Sequence, residues 1–275
     1  MRRRASFAVS KSRLVRILFF GTSHCGMFRE AWGLLPEQAR AGWTADFFAA
    51  PAPMLAKAVS ESKLPIEGVW RHHYPELSSY LARLKGGLVD EVSFREYDRV
   101  VFVDMFCCYD NCHLHTSNGI YGLALDGVPV SRSAWNAAIR STICRAEYND
   151  HPRVGNLLPM SLLPFIEMAV RGITPANVFV TPRPVLPSQR LNSRYGKGLC
   201  GDMIGKCVEW FDAVATDIFA QIGVTYVPRP ECSICPRTGG SLDELSVGWL
   251  DEGETKLNEH LTAEYASPII NSVIM

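Results

Sequence analysis

The chain reads as an α/β protein: a parallel sheet of five strands with helices on both faces. Three observations carry that reading. Short apolar runs and amphipathic segments alternate five times along the 275 residues, the pattern of successive βα units. The run Arg99-Val100-Val101-Phe102-Val103 is continuous and rich in β-branched residues, as in a strand buried on both faces. The opening run, Val15 to Phe20, stops at Gly21-Thr22-Ser23-His24. Helical spacing follows at once (Met27, Ala31, Leu34, Leu35), so a strand turns directly into a helix.

The elements follow in order. Trp43 to Phe48 is the second strand, and a helix entered through Pro53 follows it, proline being favoured in a first turn. Tyr74 to Leu84 has helical spacing and Gly86-Gly87 ends it. The third strand is Arg99 to Val103. Trp135 to Tyr148 and Leu157 to Val170 are read as helices, the latter with Gly172 just past its end. Asn177 to Val180 is the fourth strand, stopped by Pro182 and Pro184. Val208 to Ile222 is amphipathic, with Val208, Phe211, Val214, Ala215, Ile218, Phe219 and Ile222 on one side. Gly223 closes it, and Val224 to Val227 is the fifth strand. The last helix opens either at Ser267-Pro268 or earlier, near Thr262.

A chain of this length buries a sizeable core without staples. Lys plus Arg equals Asp plus Glu at 28 each, which gives no support for a nucleic-acid partner. Residues 1–13 read as a disordered basic tail, the apolar stretch after Arg2-Arg3-Arg4 being too short for a signal peptide. Residues 14–275 form one domain with insertions near 64–88 and 196–205. No run approaches a membrane span, so a cytoplasmic location is expected, with the nine cysteines reduced.

Ligands on parallel sheets bind beyond the carboxyl ends of the strands. Ser23 stands there, beside the N–H groups that open a helix, where negative charge is favoured. His260 precedes the closing helix and is placed to take the serine proton. Arg183, Arg190, Arg194 and Lys197 follow the fourth strand, where they could hold an anionic sugar or phosphate.

Gly21-Thr22-Ser23-His24 together with His260-Leu261-x-x-x-Tyr265 resembles the SGNH (GDSL-like) hydrolase superfamily. The likeness is nearest to its bacterial members associated with polysaccharide biosynthesis. Phe47-Phe48-Ala49-Ala50-Pro51, Tyr97-Asp98-Arg99-Val100-Val101 and Pro182-Arg183-Pro184 fit the same pattern. The resemblance implies a three-layer α/β/α domain of flavodoxin-like topology that cleaves or transfers a small acyl ester, its substrate a small molecule or carbohydrate. Ser23 would be the nucleophile and His260 the general base. The Ser23 N–H would hold the oxyanion with help from Asn111, and His24 and Arg183 would contact substrate. That chemistry needs no cofactor and no metal. The chain departs from the family at three points. Leu257 stands where the orienting acid is usual, Asp104-Met105-Phe106 replaces Gly-x-Asn after the central strand, and the second-block glycine is absent.

Two other functions fit the same residues. One is a catalytically inactive domain of this fold that binds a glycan or a partner. The other is a metal site in the loop Cys107-Cys108-Tyr109-Asp110-Asn111-Cys112-His113-Leu114-His115, whose thiols and imidazoles are metal-ligand types. Cys232-Ser233-Ile234-Cys235 has zinc-like spacing but stands as a single pair.

Overall fold

A computed structural model describes residues 13–62, 64–78, 90–105, 132–133, 136–137, 139–140, 147–149, 157–159, 162–189, 191, 201–246 and 261–275. Its strands are β1 (Val15–Thr22), β2 (Trp43–Ala50), β3 (Val69–Arg71), β4 (Glu91–Ser93), β5 (Arg99–Val103), β6 (Glu147–Asn149), β7 (Leu157–Pro159), β8 (Val178–Thr181) and β9 (Thr225–Tyr226). The helices used below are α1 (Cys25–Leu34), α2 (Glu37–Arg40), α3 (Ala52–Glu61), α4 (Leu162–Ala169), α5 (Gly201–Gln221) and α6 (Ala263–Ile274).

The main sheet has the order β2-β1-β5-β8-β9, and every pairing in it is parallel. The five strands expected from the alternation are these five. The order puts the first strand inside the sheet. The chain steps outward from β1 to β2, then returns to the other side of β1 as β5. The carboxyl ends of β1 and β5 therefore flank the point where the winding reverses, which is where open α/β sheets hold ligands.

Strand periodicity sends alternate side chains to opposite faces. Leu18 and Phe20 join Val100, Phe102, Val178 and Val180 under α3, α4 and α5. Ile17 and Phe19 join Val101, Val103 and Phe179 under α1 and α6. These layers make a three-layer α/β/α fold. On the first face Phe20 stacks on Phe48 at 4.3 Å between ring centroids. It meets Trp70, Phe94 and Phe102 edge-on. Burying a ring of this size contributes roughly 1.5–3 kcal/mol, and each favourable pair adds about 0.5–1.5 kcal/mol.

Local signals account for the helix ends. Gly223 adopts φ 74°, its N–H reaching Ala220 O and the Val224 N–H reaching Phe219 O. That is the paired closure a glycine after a helix permits. Two helical expectations are corrected. Leu157–Pro159 pairs antiparallel with Glu147–Asn149, and the helix starts only at Leu162. Pro159 disfavours helical dihedrals in the residue before it, and a short apolar run alone does not distinguish strand from helix. The last helix takes the earlier of its two expected starts, with Thr262 at the cap and Pro268 inside. Gly201–Gly205, expected as part of an insertion, opens α5.

Candidate functional site

At the carboxyl edge of β1 and β5 the backbones come too close for any side chain at Gly21. A Cβ there would fall inside the Val103 carbonyl group. The glycine lets β1 continue in register to Thr22 while β5 ends beside it. Asp104 is the next residue after β5. It takes φ 48°, a left-handed conformation that aspartate adopts more readily than most residues. Its N–H donates to Thr181 O at 3.0 Å, which turns its side chain back over the end of the sheet.

The Asp104 carboxylate is 1% exposed, so its charge must be compensated. Three groups converge on Oδ2. The Thr22 hydroxyl donates at 2.7 Å and the Arg183 Nε–H at 3.0 Å. His24 Nε2 lies 3.7 Å away, close enough to feel the charge but beyond a hydrogen bond. Thr22 and His24 are themselves buried. The His24 N–H points at the Thr22 hydroxyl oxygen at 3.4 Å. Thr181, at the end of β8, adds a buried hydroxyl with no hydrogen-bond partner among the described residues. The residues on either side of Ser23 are thus anchored inward, and Ser23 between them is exposed.

Two neighbouring groups are silenced by burial. The Cys25 thiol, two residues from Ser23, is pushed well up by burial and further by the Asp104 charge, so it stays protonated and is a poor nucleophile. The Tyr265 phenol on α6 is also pushed up, first by burial, with Asp212 and Asp104 adding and Arg229 opposing. Its hydroxyl has no hydrogen-bond partner among the described residues.

The structure therefore brings Ser23, His24 and Arg183 to one edge of the sheet. His260, Asn111 and the Cys107–His115 loop lie outside the described residues. Leu261, next in chain to His260, is buried in the layer that holds α1. Among the described residues no group of three or more His, Cys, Asp or Glu is placed to hold a metal. No helix among them is long and apolar enough to cross a membrane.

Sequence reasoning missed Asp104 and Thr22. It took Asp104 only as a departure from Gly-x-Asn. Yet an acid directly after a continuous β-branched run is itself a signal, because that position is buried at the edge where ligands bind.

The site and sheet define an α/β/α protein with a buried, charge-compensated carboxylate at its switch point. No family model matches the chain, and no curated protein matches it. Similar solved structures include a protein of Streptococcus pneumoniae described as a platelet activating factor. The identity is 12%, the match covers 98% of this chain and 87% of that one, and the TM-score is 0.38. Another is the periplasmic domain of a lipopolysaccharide acetyltransferase from Salmonella ser. Paratyphi A. There the identity is 12%, the coverage 96% and 83%, and the TM-score 0.36. The fold assignment rests on the sheet itself.

Proposed function

We propose that this protein hydrolyses or transfers a small acyl group held as an ester, with a carbohydrate as the substrate class. One observation carries the reading. Ser23 sits exposed on a turn between Thr22, which is hydrogen-bonded to Asp104, and a buried His24, at the point where the sheet reverses its winding. A nucleophile on an immobilised turn loses little freedom when it meets a bound ester.

In the proposed reaction Ser23 Oγ attacks the ester carbonyl. His260 takes the hydroxyl proton and returns it to the leaving alcohol. The Ser23 N–H, at the turn into α1, stabilises the oxyanion, with Asn111 as second donor. A positioned donor of this kind is worth roughly 3 kcal/mol in the transition state. Arg183, whose Nε–H donates to Asp104, is 23% exposed, and in this scheme its guanidinium charge faces an anionic substrate. Asp104 does not touch substrate in this scheme; it fixes the turn and the guanidinium.

A fluorophosphonate probe and p-nitrophenyl acetate test the proposal. Wild-type protein should be labelled on Ser23 and hydrolyse the ester. Ser23→Ala should abolish labelling and lower turnover by at least about a thousandfold. Labelling that survives in Ser23→Ala would overturn it. So would a folded wild type that is never labelled, which would mark the domain as a binder without turnover.

A further inference from the structure

Among the described residues one carboxylate and one guanidinium are buried, Asp104 and Arg229, at 1% and 6% exposure. Asp104 has Arg183 as its cation. Arg229 has no carboxylate within ion-pair distance among the described residues. Its one hydrogen bond among them runs from the Nη1–H to Gly239 O at 2.7 Å. Gly239 takes φ 68° there, so the guanidinium braces a turn. A carbonyl engages only one of the five N–H donors and offers a dipole, not a charge. Buried charges in proteins are paired, and the Arg229 cation lacks the partner that its burial calls for.

Arg229 stands where ligands of parallel sheets bind. The Val227 N–H donates to Val180 O at 2.8 Å, so the pairing of β9 with β8 runs past Tyr226 and carries the chain on to the carboxyl edge. Val227 packs against the layer under α1 and α6, which also holds Tyr265. The Tyr265 hydroxyl is buried and has no hydrogen-bond partner among the described residues. The same is true of the Thr181 hydroxyl at the end of β8, which strand alternation from Phe179 sends to this face. Asp212 on α5 accepts from the Tyr226 hydroxyl at 2.6 Å and makes no ion pair with Arg229. The Arg229 charge acts on the Tyr265 phenol, against the rise that burial imposes, although the two side chains share no hydrogen bond. A guanidinium and two hydroxyls are all donors. Donors left without acceptors in a dry setting select an anion.

We propose that Arg229 and the Tyr265 hydroxyl hold an oxyanion, the phosphate or carboxylate of a small acidic ligand, at the carboxyl edge of β9. With Nη1 on Gly239 O, the Nε–H and one Nη2–H form the parallel pair that two oxygens of either group match. The phenol O–H donates to one of those oxygens. The bound anion supplies the charge that Arg229 lacks, so ligand and cation compensate each other. The site needs no turnover at Ser23.

Calorimetric titration of the full-length protein tests this, with inorganic phosphate in one arm, acetate in the other, and sodium chloride holding the ionic strength constant. Wild-type protein should bind one equivalent of at least one of the two, and the arm that binds tells phosphate from carboxylate. Arg229→Met should weaken binding at least about tenfold and Tyr265→Phe at least about threefold, as for the loss of hydrogen bonds to a charged group. Tyr265→Phe removes a hydroxyl with no hydrogen-bond partner among the described residues, so it keeps the test decisive if Arg229→Met fails to fold. No saturable binding of either anion by the wild type, or undiminished binding in either variant, would overturn the proposal and leave Arg229 as a brace for Gly239.

Discussion

The two ends of β1 carry the same chemical groups in opposite settings. At its start Arg16 meets Asp46 at 3.1 Å and Glu96 at 3.6 Å. Its guanidinium also lies over the Tyr97 ring, 4.7 Å from the centroid. The Arg16 and Asp46 side chains are 38% and 43% exposed. At its finish Thr22, His24 and Arg183 surround an aspartate that water barely reaches. The first arrangement decorates a strand end. The second is an obligation: a buried carboxylate persists only while its donors remain. Charge at the amino edge is expendable, whereas charge at the carboxyl edge is built into the turn that carries Ser23.

The largest test of that contrast is Gly21→Ala. The new methyl would occupy the Val103 carbonyl and force β1 and β5 apart beneath the site. We expect at least about 4 kcal/mol of destabilisation, visible as loss of the cooperative thermal transition. A mild shift in Tm would show that the strands are not locked there. Next comes Arg183→Met, which strips Asp104 of its cation and should cost about 3 kcal/mol by urea unfolding. That is the low end for a broken buried pair, because the guanidinium is partly in water. Arg16→Met is the matching change at the other end. It should cost under about 1 kcal/mol, less still at high salt. Equal losses for the two arginine variants would erase the distinction between the ends.

Much of this architecture was legible in the residues. The alternation located all five strands of the main sheet, because each is an apolar run stopped by glycine, proline or a polar turn. The turn at Gly21-Thr22-Ser23-His24 was legible as a strand-to-helix junction. The site behind it was not. Asp104 and Thr22 are distant in sequence, separated by 82 positions, and only the strand order brings them together. The β6–β7 hairpin was missed because Leu157 and Leu158 fit a helix as well as a strand. The final helix was ambiguous because Pro268 looks like a first-turn residue. In the structure it lies inside the helix, and Ser267 Oγ donates to Ala263 O at 2.9 Å beside it.

The place of β1 inside the sheet also sets an order of assembly. Its partner β2 lies one short crossover away, so that pair can form as soon as both have been synthesised. β5 must close a much longer loop before it can dock on the other side, and long-range parallel pairing is slow. On loop-closure cost alone the turn bearing Ser23 is expected to form early and the carboxylate that steadies it to arrive late. A kinetic intermediate holding β1, α1 and β2 would carry the hydroxyl but not the frame around it.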